Sequence, residues 1–330
     1  MSEKNIKVGI VGAGGISQVT HIPNLKNIEG VTVSAICDAD AGRASSVADR
    51  LEISSWFDDP EKMMKNSDLD CVIITAATIT HLPISQIALE NGVDVLVEKP
   101  FARTADEARR IVEIADENDR IVMAGMNHRF REDTSHLKDI LTSGDMGELF
   151  MVHCGWLKRL GVWGRPYWFM DPNLAGGGVL MDLGLQMIDV VLFLLDYPTI
   201  IESRCGTSNK VLGLDVEDTA GVFLRFENDA IMLMEVSWAN CATRDLDYTF
   251  FASSLGRASL NPLHINQRQG DRIISMGGPV MADEAELYRR SFNAEVMHFI
   301  DCVRDRNEPM SSGREAIAAI ETVEMLYASV

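Results

Sequence analysis

Lys99 follows Val93-Asp94-Val95-Leu96-Val97-Glu98, a β-branched and aliphatic run of the kind that parallel sheets bury on both faces. The carboxyl ends of such strands open on the ligand crevice, which sets an amine beside a bound molecule, where it can exchange a proton. Pro100 keeps Lys99 out of helical conformation, and Thr104 to Glu107 reads as a capping box that starts the next helix. The lysine thus sits in a short constrained turn, and its bond to Pro100 is expected to be cis. The plain alternative is a solvated lysine at a strand end.

A second group lies on one helix. From Val179 to Leu195 the chain is apolar almost all round, the mark of a buried helix. Asp182, Gln186 and Asp189 interrupt it at spacings of four and three, which puts them on one stripe. Buried charges are costly unless paired or used. The preceding Gly176-Gly177-Gly178 allows close backbone approach, so the stripe is expected to face a ligand. Just upstream, Arg159 to Phe169 gathers aromatic and basic groups in a Gly/Pro-broken loop. Trp163, Arg165 and Tyr167 are its expected substrate contacts, since ring faces suit the C–H side of a sugar and guanidinium forks suit hydroxyls or a carboxylate. The alternative is a loop whose aromatics pack beneath it.

These groups need a frame. The strand Ile6 to Val11 runs straight into Gly12-Ala13-Gly14-Gly15-Ile16-Ser17, which opens a helix towards Leu25. This is a dinucleotide-binding turn in its required context. Gly12 permits the tight turn, Gly14 lets the backbone approach a pyrophosphate, and Gly15 and Ile16 begin a helix whose N–H groups face the anion. Ser17 stands at the third glycine position, where a small residue serves close packing. Asp38 ends the next strand, 21 residues beyond Ser17. An acid there accepts from ribose hydroxyls and repels a 2′-phosphate, favouring NAD over NADP, with Arg43 softening the preference. Asp38 could instead cap the following helix, although Asp40 can do that. Thr75, at the end of the central strand Asp70 to Thr75, and Glu98 with Lys99 complete the expected cofactor contacts.

The Gly-rich opening, Glu98-Lys99-Pro100 and Gly176 to Gly184 together resemble the glucose-fructose oxidoreductase and inositol dehydrogenase family, Gfo/Idh/MocA, over nearly the whole chain. The resemblance implies an NAD-dependent oxidoreductase acting on a hydroxyl-bearing carbon of a sugar, sugar derivative or cyclitol. Its fold is a Rossmann domain followed by an α+β domain with a large, mostly antiparallel open sheet, the surface through which relatives form homodimers and homotetramers. It also implies a catalytic set of Lys99, Asp182 and a histidine four residues after the aspartate. Here that last position is Gln186, which can orient a hydroxyl but cannot take up a proton near neutral pH. His128 is the rival base, and His21 and His81 are uncommitted. Two other readings stay open: a glycosidase using NAD transiently, and a non-catalytic dinucleotide-dependent sensor.

The expected domains are 1–127, dinucleotide-binding, and 128–330, substrate-binding and oligomerising, with no Gly/Ser or Pro-rich linker at the join. In the second, β-rich runs are expected at Leu149 to Trp156, Thr199 to Thr207, Thr219 to Phe226, Ala230 to Trp238 and Tyr248 to Ala252, with closing helices from Asp283 to Arg304 and Arg314 to Ala328. Thirty basic against 49 acidic side chains give a net charge of −19, which disfavours nucleic acid and anionic membranes. With no apolar signal core and no apolar run near membrane-spanning length, a soluble cytoplasmic protein is expected. Six scattered cysteines read as reduced core thiols, and seven histidines show no ligand spacing, so no metal is expected.

Overall fold

The apolar runs of the amino-terminal part pair as one parallel sheet in a computed structural model of the chain, which describes residues 5–161, 167–276 and 283–330, Tyr167 and Met276 by backbone only. Its strands are β1 (Ile6–Val11), β2 (Val31–Cys37), β3 (Ser55–Phe57), β4 (Cys71–Ile74), β5 (Asp94–Glu98) and β6 (Val122–Gly125), in the spatial order β3-β2-β1-β4-β5-β6. The order reverses at β1, the switch point at which doubly wound sheets bind ligands. Every residue of β4, β5 and β6 is buried, which explains the apolar character of β4, of β6 and of Val95 to Val97 in β5. Helices are started by local caps: Asp40 accepts from the Arg43 N–H, Asp59 from Glu61 and Lys62, and Thr104 from Glu107. The capping box is incomplete, because Glu107 turns back to the N–H of Arg103 instead of Thr104.

The later strands form a second sheet. They are β7 (Leu149–Arg159), β8 (Ile200–Ser208), β9 (Thr219–Phe226), β10 (Ile231–Asn240), β11 (Leu246–Ser253), β12 (Gly256–Leu260), β13 (His264–Gln269) and β14 (Arg272–Met276). The order is β14-β13-β12-β11-β7-β10-β9-β8, antiparallel except where β7 meets β10. The last three strands were not expected from the sequence; they are short and largely polar, without the alternation that marks the others. In β10, Met232, Met234 and Val236 are buried while Ile231 and Leu233 are half-buried, so one face is core and the other is partly open.

The two units are not each one continuous stretch of chain. Contacts divide the chain into Met1–Asn127 with Phe292–Ile317, and His128–Ser291 with Ala318–Val330. The two closing helices, Glu284–Asp305 and Gly313–Tyr327, therefore each contribute to both units. The return of 292–317 has visible causes in the first unit: Ser311 Oγ donates to the Ala124 carbonyl at 2.7 Å, Ser312 bridges Met123 at the sheet edge, and Phe292 meets the His21 ring edge-on.

A further correction concerns the helical stretch Pro172–Leu194. Its 23 residues, with mean hydropathy 1.7, are long and apolar enough to cross a membrane by length and composition. With 94% of its most apolar window buried inside the protein, it is a core helix.

Candidate active site

The glycine turn after β1 is built by its neighbours. Gly12 has φ +106°, and a Cβ there would lie 2.7 Å from Thr75 Oγ1 and 2.8 Å from the Ala76 nitrogen, so only glycine fits. Thr75 Oγ donates to the Gly12 carbonyl at 2.8 Å. Ser17 is fully buried, and its hydroxyl reaches the carbonyls of Gly12 and Gly14 at 2.7 and 2.8 Å. The serine at the third glycine position thus ties the loop to its helix. Among the described residues, nothing beyond the adjoining backbone lies within 4 Å of where a Cβ on Gly14 or Gly15 would stand. The backbone there is open to a ligand, as a pyrophosphate requires.

Asp38 lies just past β2. Its Oδ2 accepts from the Ala13 N–H at 2.8 Å and its Oδ1 from the Asp40 N–H at 2.9 Å. Arg43 Nη1 stands 3.5 Å from both oxygens. Helix capping falls to Asp40, as the sequence suggested it could. A preset carboxylate beside an open glycine turn fits a nicotinamide dinucleotide, with Gly14, Gly15 and Ile16 at its phosphates and Asp38 at its adenosine ribose.

The Lys99 turn is held from both sides. Its bond to Pro100 is cis. Glu98, at the end of β5, is buried and points Oε1 to His21 Nε2 at 2.7 Å, while Oε2 accepts the Lys99 N–H at 3.0 Å. Burial drives the Glu98 carboxyl upward, but the hydrogen bond and charge of His21, with Lys99, bring it below the usual carboxylate range. On the other side, His81 Nδ1 lies 2.9 Å from the Pro100 carbonyl and its Nε2 lies 3.1 Å from the Ala76 carbonyl. His81 is fully buried, and burial holds its pKa below the ordinary value. Thr75 and Glu98, both expected at the cofactor, thus also shape the two turns from within: Thr75 through the Gly12 carbonyl, Glu98 through His21 and the Lys99 N–H.

In the second unit the polar stripe divides. Leu180–Gly184 is a π turn leading into the helix Leu185–Leu194, an irregularity common at functional sites. Asp182 sits in this turn, buried, with Oδ2 accepting from Trp238 Nε1 at 2.9 Å. Gln186 Nε2 donates to the Asp182 carbonyl at 2.9 Å, so its amide nitrogen serves the helix backbone. Asp189 leaves the site group, because it forms a fully buried pair with Arg129, Nε to Oδ2 at 2.8 Å and Nη2 to Oδ1 at 2.5 Å. The triple glycine also has a different use from the one expected. A Cβ on Gly177 would lie 2.2 Å from Tyr327 Oη, and one on Gly178 2.2 Å from the Glu217 carbonyl. Glu217 Oε1 accepts from the Leu180 N–H at 2.9 Å and from Tyr327 Oη at 2.7 Å. Protein, not ligand, makes the close approach, and it pins the start of the π turn.

Trp163 and Arg165 lie outside the described residues; Tyr167 opens a 3-10 turn, Tyr167–Met170, with its side chain outside them. His128, the rival base, packs edge-on against Trp156 and Tyr288 at centroid distances of 5.3 and 5.8 Å. Among the described residues no cluster of histidine, cysteine and carboxylate side chains could hold a metal ion. Sequence reading gave Ser17 a packing role only, left His21 and His81 uncommitted and missed Trp238. The histidines carried a signal, each standing close after a glycine-rich or strand-end turn, but only the fold pairs them with Glu98 and Pro100.

Comparison with known proteins agrees with this geometry. The model described as "Oxidoreductase family, NAD-binding Rossmann fold" matches residues 6–126, and that of the "GFO/IDH/MocA C-terminal domain" matches 134–254. The chain is 26% identical to D-glucoside 3-dehydrogenase of Escherichia coli (strain K12), covering 100% of this chain and 96% of that protein. It is 23% identical to myo-inositol 2-dehydrogenase of Thermotoga maritima, covering 96% and 93%. Among solved structures, levoglucosan dehydrogenase in complex with NADH and levoglucosan superposes with a TM-score of 0.87 at 17% identity, covering 99% and 97%, a likeness of fold. With both halves matched in order and the dinucleotide turn in place, the chain belongs to the Gfo/Idh/MocA family of nicotinamide-dependent oxidoreductases.

Proposed function

We propose that the protein is an NAD-dependent dehydrogenase that moves a hydride between nicotinamide and a hydroxyl-bearing carbon of a sugar, sugar derivative or cyclitol. The bound dinucleotide supplies the hydride acceptor. In the oxidative direction the amine of Lys99 would take the substrate's hydroxyl proton as the same carbon gives up its hydride, leaving a carbonyl. Asp182 and Gln186 hold substrate hydroxyls. Trp163, Arg165 and Tyr167 are assigned to the substrate wall on residue type alone. The observation that carries this reading is an amine on a turn anchored at Glu98 by His21 and at Pro100 by His81, at the carboxyl end of the dinucleotide sheet. The preference for NAD rests on Asp38, whose oxygens are preset by two backbone donors.

A sugar and cyclitol panel followed by NADH absorbance tests the proposal, with Lys99→Met as control. Accumulation of NADH on at least one substrate, lost in the variant, is the expected result. Tight NAD binding with no turnover on the panel would favour a sensor, the reading to which Gln186 lends weight; product release without net NADH would favour a glycosidase.

Assembly through the second sheet is part of the proposal. Phe223, Leu233, His153 and Phe250 form a row of paired positions across β9, β10, β7 and β11 on the partly open face, each half-buried. A row of this kind supports a dimer or tetramer. Leu233→Lys is expected to reduce the mass measured by light scattering. A cytoplasmic setting belongs to the same reading and is supported by free thiols at Cys37, Cys71, Cys154 and Cys302, all buried.

A further inference from the structure

His21 lies in the helix that begins on the dinucleotide turn, at the last position of the π turn Ser17–His21. Its side chain is fully buried and points away from the turn, to Glu98. A buried polar ring needs partners, and its Nε2 has a short bond to a carboxylate; Nδ1 has no hydrogen-bond partner among the described residues. The ring is therefore held by one polar contact and by the edge of Phe292, centroids 6.1 Å apart. Glu98 in turn has a prepared place. A Cβ on Gly125 would lie 3.2 Å from Glu98 Cα and 3.5 Å from its carboxyl carbon, so glycine in β6 leaves the room that the carboxylate occupies. From that place the second oxygen takes the N–H of Lys99.

We propose that His21 is a positioning residue for hydride transfer: by fixing the Glu98 carboxylate it sets the turn that carries Lys99. The inference rests on the reading that Lys99 exchanges the substrate proton. A histidine used only for packing would not need a buried carboxylate against it, because burying an acid is costly without a donor. The same carboxylate bonds the backbone of the next residue, the one whose amine has to meet the substrate. Catalytic groups work within narrow limits of position, and displacement by about 1 Å can cost roughly a hundredfold in rate. The groups that face Glu98 with charge or a titratable proton are His21, Lys99 and His81. Of these, only His21 comes from the helix that the dinucleotide turn begins.

Four variants of the full chain test this: Lys99→Met, His21→Leu, His21→Gln and Glu98→Gln. Binding of NAD is followed by tryptophan fluorescence. The reactivity of Lys99 is followed by competitive acetylation with acetic anhydride across pH, and turnover is measured on the substrate found by the panel. His21→Leu is expected to bind NAD within about threefold of the parent and to lower kcat roughly ten- to a hundredfold with little change in KM. It should also raise the plateau acetylation rate of Lys99, because the turn is released. His21→Gln, which keeps an N–H donor at similar reach, should recover most of both effects. Glu98→Gln weakens the charge-assisted bonds that fix the turn and should raise the plateau acetylation rate of Lys99 as His21→Leu does.

If His21→Leu and His21→Gln lose activity equally, with Lys99 acetylation like that of the parent, His21 is a packing residue and the inference fails. If Lys99→Met abolishes turnover while His21→Leu leaves kcat and acetylation unchanged, the inference fails alone. If Lys99→Met keeps kcat and its pH profile, the reading beneath it has failed instead. A His21→Leu protein that does not fold leaves the decision to His21→Gln and Glu98→Gln: a Glu98→Gln plateau that coincides with the parent's overturns the proposal.

Discussion

Trp238 donates its indole N–H to Asp182 Oδ2 at 2.9 Å, joining β10 to the π turn across 56 positions of sequence. The indole is buried and also meets the Phe169 ring at 6.0 Å. Trp238→Phe keeps most of the packing and removes the donor. A hydrogen bond to a charged group contributes about 1.5–3 kcal/mol, so kcat/KM should fall roughly ten- to a hundredfold with NAD binding intact. Steady-state kinetics beside an NAD titration checks this; unchanged kcat/KM would remove Trp238 from the site.

Gln186 offers a test of what the missing histidine would do. Gln186→His restores the family's spacing from Asp182 on the same helix face. The variant is expected to add a limb near the ordinary histidine range to the pH profile of kcat. A profile identical to the parent's would mean that the position does not meet the reacting hydroxyl.

Cofactor choice should turn on Asp38. Asp38→Gly removes the charge that repels a 2′-phosphate and leaves Arg43 free to meet one, since Arg43 now stands 3.5 Å from the Asp38 oxygens. The variant should lose about 1–3 kcal/mol of NAD affinity and gain NADP affinity. Isothermal titration with both dinucleotides decides it, and a parent that already binds NADP more tightly would overturn the assignment of Asp38.

Stability should fall as pH rises through the range in which Asp247 ionises. Burial first, then the like charge of Glu284, raise Asp247 to about 6 against the opposing pull of Arg131. The folded form therefore holds a proton that the unfolded chain releases near pH 4. The contribution is full below that pH and is lost by about pH 6 to 7. With part of the side chain still in contact with solvent, it amounts to about 1–2 kcal/mol. Urea midpoints measured across this window should decline in the parent and flatten in Asp247→Asn.

Much of this was legible because each signal was local. A strand running into a glycine turn, an acid at the next strand end and a proline after Lys99 act over a few residues, so the sequence order carries them. What could not be read depends on partners far along the chain. The spacing of Asp182, Gln186 and Asp189 predicts one stripe, but a π turn holds Asp182, Arg129, 60 positions away, claims Asp189, and Trp238 claims an oxygen of Asp182. The triple glycine announced a close approach without saying what approaches; Tyr327 and Glu217 lie 149 and 39 positions from Gly178. His21 and Glu98 are 77 apart, and no periodicity links a helix residue to a strand end.

The return of Phe292–Ile317 to the first unit bears on how the chain is made. During synthesis the dinucleotide sheet emerges first, yet Phe292, which flanks His21, and Ser311, which meets Ala124, lie near the far end. Domains generally fold as units on the ribosome, amino-terminal first. Here the first unit stays unfinished at its β6 edge and around His21 until Phe292–Ile317 has been made. A fragment ending at Asn127 would keep the whole glycine turn after β1 and still lack the segment that completes its own packing, so a cassette cut at that point would carry an open core.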